Sequence, residues 1–298
     1  MRILVTGATG LIGRQLCGFL AQQFKVTALT RNVDNAQALF GRKVTCISTL
    51  ETINFDTVDV VVNLAGEPIA EKRWSTKQKH LITESRINIT QQLVTKITQA
   101  TTPPHTFISG SAIGFYGRQN SHITIDETFN DYNPEFSHHL CNEWEQTARR
   151  AESRNTRVCV LRTGIVLSQD AGALTKMLPA FKLCLGGKMA DGQQMMSWIH
   201  IDDIVNIILH LINNQHLSGT FNATAPNPVS NQEFTKILAS TLSRPAVLPM
   251  PKIVLRLLFG EMADLLIYGQ TVIPKKLLDS QFSFRFNHLD KALANLLR

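Results

Sequence analysis

Cysteine is scarce in this sequence. Its 298 residues include only five cysteines, and no two of them form a C-x-x-C pair. A disulfide framework or a structural zinc site requires cysteines that are paired or closely spaced. The pattern therefore favours reduced thiols and argues against both kinds of cross-link. The five residues are Cys17, Cys46, Cys141, Cys159 and Cys184.

Long apolar runs are also missing. A membrane-spanning helix needs about 20 consecutive apolar residues, and no run in this chain approaches that length. The first apolar stretch, Ile3–Thr6, stops at Gly7, which makes it shorter than the hydrophobic region of a secretory signal peptide. We therefore expect a cytoplasmic protein with no membrane partner.

No block of basic residues stands out, although the net charge is +7. Nucleic-acid-binding surfaces usually combine clustered Lys and Arg with interleaved aromatic residues. We therefore predict no nucleic-acid partner, while the positive charge still permits a small anionic ligand. The composition, 44% hydrophobic and 18% charged, is ordinary for a globular chain of this length. The oligomeric state is left open.

Short apolar runs alternate with helical patterns along most of the chain. Several runs are β-branched at both odd and even positions, as in strands that are buried on both faces. Alternation of such strands with helices predicts an α/β fold with a doubly wound parallel sheet. The runs are Ile3–Thr6, Val26–Leu29, Val44–Ile47, Val58–Leu64, Phe107–Ser109 and Val158–Leu161.

Two serines mark predicted helix starts, and prolines mark a change in organisation. Ser75 with Gln78 and Ser230 with Glu233 have the spacing of capping boxes. Six prolines between positions 226 and 274 argue against a continued parallel sheet in the last part of the chain. We predict a main domain over residues 1–245 and a small, mostly helical C-terminal domain over 246–298.

A glycine-rich turn follows the first predicted strand and opens a helical pattern from Ile12 to about Gln22. This context is typical of a dinucleotide site. Gly7 permits a tight turn, Gly10 lets the backbone approach a pyrophosphate, and Gly13 lets the helix pack against the strand. The free N–H groups of the helix N-terminus attract the phosphates. The predicted contacts are Gly7, Thr9, Gly10, Leu11, Ile12 and Gly13.

The end of the second strand indicates which dinucleotide is bound. NAD sites usually have an acidic residue there for the ribose hydroxyls, whereas this strand ends in Thr30-Arg31. A guanidinium suits a 2′-phosphate, so we predict NADP(H), with Asp34 as a residue that could still reach a ribose. After the fourth strand, the small residues of Asn63-Leu64-Ala65-Gly66 leave room for an adenosine.

In combination, these motifs resemble the extended short-chain dehydrogenases/reductases of the epimerase/dehydratase superfamily, which have a Rossmann-like fold. More narrowly, the chain is similar to the atypical "epimerase family protein" group with a small C-terminal domain. The resemblance covers essentially the whole chain. Besides the glycine turn, it rests on Asn63–Pro68, Glu67–Trp74, Ser85-Arg86, Tyr116-Gly117, Leu140-Cys141, Trp144-Glu145, Leu161–Gly164, Leu183–Gly187, Trp198–Asp203, Gly269-Gln270 and Pro274-Lys275.

The resemblance implies cofactor contacts beyond the glycine turn. They fall on Thr30, Arg31, Leu64, Ala65, Gly66, Arg86, Ser109 and Arg162. It also implies that His200, Asp202 and Asp203 join the sheet to a helix over Ile204–Ile212, capped by one of the two aspartates, so we expect no metal there.

Catalysis in the superfamily uses a serine with a Tyr-x-x-x-Lys pair, in which the tyrosine is the acid/base. Ser111 matches the serine, but Ser137 and Cys141 stand where the tyrosine and lysine are expected. We predict Ser111 and Tyr116 as catalytic residues, with His138, His139 and Cys141 as other candidates for the acid/base. The resulting hypothesis is an NADP(H)-dependent oxidoreductase or epimerase-like enzyme acting on a small molecule, for which superfamily analogy suggests a nucleotide sugar. The alternative is a non-catalytic NADP(H)-binding regulator.

Overall fold

The computed structural model describes residues 1–297 and is organised around a seven-stranded parallel sheet. Its strands are β1 (Arg2–Thr6), β2 (Lys25–Leu29), β3 (Val44–Ile47), β4 (Val60–Asn63), β5 (Thr106–Ala112), β6 (Arg157–Thr163) and β7 (Gly219–Ala223). They lie in the order β3-β2-β1-β4-β5-β6-β7. Because the order reverses between β1 and β4, a crevice opens there at the carboxyl edge of the sheet. The predicted doubly wound α/β fold is confirmed.

Helices flank the sheet and make up most of the C-terminal region. They are α1 (Leu11–Leu20), α2 (Val33–Phe40), α3 (Thr76–Gln99), α4 (Phe136–Arg149), α5 (Ala173–Lys182), α6 (Ile201–Asn213), α7 (Asn231–Leu242), α8 (Lys252–Phe259), α9 (Asp264–Ile267), α10 (Lys275–Asp279) and α11 (Leu289–Leu297). Short two-stranded pairings join Thr124–Ile125 to Thr271–Val272, Ile165–Leu167 to Trp198–His200, and Met195–Met196 to Val229–Ser230. In the described chain, no helix is both long enough and apolar enough to span a membrane.

Successive residues of the central strands enter different cores. In β1, Ile3 and Val5 pack into the core that includes α1, α6 and α7, whereas Leu4 packs into the core that includes α3 and α4. This follows from the two-residue period of a strand, which sends neighbouring side chains to opposite faces. It explains why the strand sequences are apolar at both parities.

Serine caps form at both predicted positions. The hydroxyl of Ser75 accepts a hydrogen bond from the backbone N–H of Gln78 at 3.1 Å, and Ser230 accepts one from the N–H of Glu233 at 3.1 Å. Each bond satisfies a helix N–H that has no partner within the helix.

The predicted aspartate cap of α6 is wrong, because the helix begins earlier, at Ile201, and His200 is its cap. The Nδ1 atom of His200 accepts from the backbone N–H of Asp202 at 3.0 Å. Asp203 instead accepts from the N–H groups of Arg285 and Phe286, at 2.8 and 2.9 Å. The carboxylate thereby holds the C-terminal segment onto the main core, which includes Phe286.

We expect His200 to make stability pH-dependent. Burial lowers the pKa of this imidazole, although the charge of Asp202 acts in the opposite direction. The unfolded chain, with a histidine pKa of about 6.5, then takes up a proton that the folded protein resists. The stabilisation is therefore fully present above that pH and is lost as the pH falls below it.

The measurement is thermal unfolding of the wild type and of His200→Asn between neutral and mildly acidic pH. Asparagine is a good N-cap without a titrating ring, so we expect the variant to lose less stability on acidification. Burial also lowers the pKa values of His105 and His210, but these residues titrate equally in both proteins. Equal acid sensitivity of the two proteins would contradict the assignment to His200.

Candidate dinucleotide site

The glycine turn between β1 and α1 is too tightly packed for side chains at two of its positions. Gly7 has φ +67°, and a Cβ there would lie 2.4 Å from the carbonyl oxygen of Leu64. A Cβ on Gly13 would lie 2.2 Å from the carbonyl oxygen of Gly7. Both contacts are with backbone, so the turn has to open if either glycine is replaced.

The third glycine, Gly10, faces open space. It is exposed, and a Cβ there would meet only the carbonyl oxygen of Gly7, at 3.2 Å. Gly10 is also the N-cap of α1, and no side chain caps this helix. A dinucleotide pyrophosphate fits an uncapped helix start next to an open glycine, since its oxygens would accept from the first N–H groups of α1. Thr9, Leu11 and Ile12 lie half-buried around this opening.

The end of β2 lies beside the turn, because β2 pairs with β1 through Leu29 and Thr6. Thr30 is half-buried, with its N–H bonded to the carbonyl of Ile47 at 2.9 Å, while Arg31 is exposed. The Arg31 guanidinium is therefore accessible to a phosphate at this edge of the sheet.

The loop after β4 is held against α3 by Arg86. The Nη1 atom of Arg86 donates to the carbonyls of Glu67 and Ile82, at 3.0 and 2.9 Å. Its guanidinium carbon lies 2.8 Å from where a Cβ on Gly66 would stand, so a side chain at this position would displace the guanidinium. Burial lowers the pKa of Arg86, and nearby Cys141 and Glu67 partly offset this. Leu64 and Ala65, in the same loop, are half-buried.

A buried network joins Ser111 on β5 to Arg162 on β6 through Glu145 on α4. The Ser111 hydroxyl donates to Oε1 of Glu145 at 2.8 Å. Arg162 donates to both carboxylate oxygens, from Nε at 2.8 Å and from Nη2 at 2.9 Å. Burial of the guanidinium opposes its charge, but Glu145 more than offsets that and raises the pKa of Arg162. All three residues are at most 5% exposed.

Aromatic rings cover the other side of this network. The guanidinium carbon of Arg162 lies 3.4 Å from the ring centroid of Phe115 and 4.9 Å from that of Tyr116. Aromatic surface therefore encloses the Arg162–Glu145 ion pair. In this apolar environment the electrostatic attraction within the pair is stronger than in water.

The Tyr116 hydroxyl is hydrogen-bonded within the protein. Its side chain is fully buried, and its hydroxyl donates to Oδ1 of Asn222 at 2.7 Å. Burial raises the pKa of this phenol, partly offset by Arg162. An acid/base role would require Tyr116 to give up the bond to Asn222. Ser109, predicted to contact the cofactor, is also fully buried, and its hydroxyl bonds to the carbonyl of Gly110 at 3.3 Å.

Helix α4 carries the remaining predicted candidates. Ser137 and Cys141 lie one turn apart and face Gly114, whose Cβ would be 3.1 Å from Cβ of Ser137 and 3.8 Å from Sγ of Cys141. Burial raises the pKa of the Cys141 thiol to about 11, so this residue is protonated at neutral pH. His138 is buried and bonded through Nδ1 to the carbonyl of Phe115 at 2.5 Å, whereas His139 is exposed.

Glu145 belongs to the Trp144-Glu145 motif of the family resemblance, but the sequence did not predict it as a site residue. It lies two turns beyond Ser137 on the same face of α4, a spacing that in retrospect points to the same site. A second polar group was also missed. Thr90 on α3 accepts from Asn63 at 2.8 Å and from the Trp144 indole at 3.0 Å, which ties α3 and α4 to the end of β4.

No group of three metal-ligating side chains occurs within residues 1–297. The sequence placed His200, Asp202 and Asp203 close together. Asp202 accepts hydrogen bonds from Gln15 at 2.5 Å and from Arg285 at 3.0 Å, and His200 and Asp203 accept from backbone N–H groups. These side chains serve to hold α1, α6 and the C-terminal segment together.

The sheet order, the glycine turn at its switch point and the arginines along its carboxyl edge define a Rossmann-like dinucleotide-binding protein. The chain belongs to the NAD dependent epimerase/dehydratase family, whose sequence model matches residues 3–223. A domain of unknown function matches residues 250–296. The family resemblance deduced from the motifs is confirmed.

Relatives of similar length align with the whole chain. It is 38% identical to "Epimerase family protein SDR39U1 homolog, chloroplastic" of Arabidopsis thaliana, over all of this chain and 87% of that protein. It is 34% identical to "Epimerase family protein YfhF" of Bacillus subtilis, over all of this chain and 98% of that protein.

Solved structures support the same placement. The human epimerase family protein SDR39U1, crystallised with NADPH, superposes with a TM-score of 0.91 at 33% identity, covering 99% of each chain. NADPH is the reduced form of the cofactor that the sequence predicts here. UDP-glucuronic acid 4-epimerase from Bacillus cereus has a TM-score of 0.77 at 19% identity, covering 99% of this chain and 98% of its own, which shows a shared fold alone.

Proposed function

We propose that this protein binds NADP(H) at the carboxyl edge of its sheet and uses it in an oxidoreductase or epimerase-like reaction on a small substrate. The observation that carries the cofactor assignment is the open, uncapped start of α1 at Gly10 with the exposed Arg31 beside it. The crystallisation of a 33% identical relative with NADPH supports it. We retain as proposals the cytoplasmic location and the division into residues 1–245 and 246–298.

Within this proposal, Ser111 is the catalytic residue and Glu145 positions it. The nicotinamide, when bound, supplies or accepts a hydride. Because Ser111 donates its proton to Glu145, the lone pairs of Oγ remain available to accept from a substrate hydroxyl. In the oxidation of an alcohol, the substrate proton passes to Oγ as the Ser111 proton moves to Oε1 of Glu145.

Arg162 stabilises this arrangement by binding both carboxylate oxygens of Glu145, which holds Oε1 at the Ser111 hydroxyl. We therefore give Arg162 a positioning role, alongside the cofactor contact that the family resemblance implies. Ser137 and Cys141 stand at the positions where the superfamily has its Tyr-x-x-x-Lys pair. The network instead supplies the Ser111 hydroxyl, hydrogen-bonded to a carboxylate that can accept its proton.

Cofactor preference tests the first part of the proposal. Calorimetric titration should give tighter binding of NADPH than of NADH, and Arg31→Ala should weaken NADPH binding by roughly tenfold because one charge-assisted phosphate contact is lost. NADH binding should not change. Arg42→Ala removes another exposed arginine, in the 3-10 turn after α2, and is the matched control. Equal affinity of the wild type for the two cofactors would overturn the NADP(H) assignment.

A second candidate is a non-catalytic NADP(H)-binding regulator, which the residues at positions 137 and 141 favour. Transfer of labelled hydride from NADPH to a panel of carbonyl compounds separates the two functions. If the protein is an enzyme, we expect the wild type to transfer the hydride and Ser111→Ala to lose this turnover while keeping its affinity for NADPH. NADPH binding without any turnover across the panel would favour the regulator.

A further inference from the structure

Exposed apolar side chains concentrate in two segments of the chain, residues 182–190 and 243–258. Their exposed fractions run from 38% for Met250 to 74% for Ile253. A monomeric protein rarely exposes so many large apolar side chains together unless the surface contacts something. We call this surface the apolar patch. It comprises Leu183, Leu185, Val247, Leu248, Met250, Ile253, Val254, Leu257 and Leu258.

The backbones of the two segments pair side by side. The N–H of Leu248 donates to the carbonyl of Gly186 at 3.1 Å, and the N–H of Met250 donates to the carbonyl of Lys188 at 2.9 Å. Pro251, directly beyond this pairing, is the N-cap of α8. The backbone therefore fixes the loop residues of the patch next to those of the helix.

Helix α8 is anchored by one face and uncovered on another. Leu255 is fully buried and packs with Ala263 and Ile267. Ile253 and Leu257, one turn apart, are 74% and 72% exposed. Leu255 thus holds the helix in place, while the exposed side chains of Ile253 and Leu257 contribute little to the stability of the fold.

Basic residues predominate around the patch, with Asp191 just after the first segment and Glu261, paired with Lys79 at 2.6 Å, just after the second. The two segments contain five basic residues and no aspartate or glutamate. Asp264, from the neighbouring helix α9, is already paired with Arg118 at 2.7 Å and with Arg256 at 3.3 Å. The basic residues are Lys182, Lys188, Arg244, Lys252 and Arg256.

We propose that the apolar patch docks this protein on the surface of an anionic lipid bilayer, with α8 lying in the plane of the interface. Such a bilayer offers negative headgroups to the basic residues of the two segments and an apolar layer behind the headgroups for the exposed side chains. A second copy of the patch would instead place cations against cations. The sequence predicted no membrane partner because no apolar run can span a bilayer, but a surface contact requires no such run.

Vesicle co-sedimentation tests this proposal with the full-length protein. We expect binding to vesicles of phosphatidylcholine mixed with phosphatidylglycerol, weak binding to phosphatidylcholine alone, and release as the salt concentration rises. Ile253→Ser combined with Leu257→Ser should lower partitioning into the anionic vesicles by about tenfold or more, because two apolar side chains no longer enter the interface.

Leu39→Ser is the matched control, because Leu39 is 40% exposed but lies on α2, outside the patch. It should partition like the wild type. The thermal unfolding of the double variant should also match that of the wild type, since both replaced side chains are exposed in the folded protein.

Three results would overturn the proposal. The first is failure of the wild type to bind anionic vesicles at low salt, and the second is equal binding by the double variant. The third is a dimer in light scattering that the double variant dissociates, without any vesicle binding. That last result would show that a second copy covers the patch.

Discussion

Replacement of Gly13 by alanine is expected to weaken NADPH binding by roughly 100-fold or more. The new methyl carbon would lie 2.2 Å from the carbonyl oxygen of Gly7 and 2.7 Å from Cα of Ala8. Neither backbone atom can move away without opening the turn that would hold the pyrophosphate. Fluorescence or calorimetric titration with NADPH measures the effect, and circular dichroism confirms that the variant is folded.

Gly18→Ala is the matched control, because Gly18 is on the same helix and a Cβ there meets nothing within 4 Å. It should bind NADPH like the wild type and gain about 0.5–1 kcal/mol of stability from helix propensity. If Gly13→Ala does not fold, Gly10→Ala takes its place, since its methyl faces the open side of the turn. A folded variant at either position that binds NADPH normally would show that the turn is not the site.

Replacement of Glu145 by alanine is expected to destabilise the protein by about 3–5 kcal/mol, because it leaves the buried Arg162 charge without a partner. Both atoms of Arg162 that donate to the carboxylate, Nε and Nη2, lose their acceptor. Ser111 loses its acceptor as well. Urea denaturation of the wild type and the variant measures the change in the free energy of unfolding.

The pair Lys96–Glu51, at 2.8 Å, provides the contrast, since Glu51 is 76% exposed. Glu51→Ala should change the free energy of unfolding by only about 0–1 kcal/mol. Combining Glu145→Leu with Arg162→Met removes both buried charges and should cost less than Glu145→Ala alone. If Glu145→Ala costs no more than Glu51→Ala, the network does not hold Ser111 in place.

The parts of the fold that depend on local patterns could be predicted from the sequence. Alternating apolar runs predicted six of the sheet strands, with ends that differ from the observed ends by up to three residues. The seventh, β7, was missed because its five residues, GTFNA, include two small and two polar side chains. Serine at the start of α3 and of α7 was correctly identified as a cap, since an N-cap bond spans only three residues. The cap of α6 was misassigned because His200 is a less common acceptor than the two aspartates that follow it.

The candidate site also has features that local sequence patterns predict and features that they do not. By itself the sequence determined the glycine turn, the arginine after β2 and hence the class of cofactor, because steric demands at Gly7 and Gly13 arise within a short strand-turn-helix unit. Only the tertiary structure decided what lies next to Ser111. Its partner Glu145 is 34 residues away in sequence, and Asn222, which binds the Tyr116 hydroxyl, is 106 residues from it. Such contacts depend on how helices pack on a sheet, which no local pattern encodes.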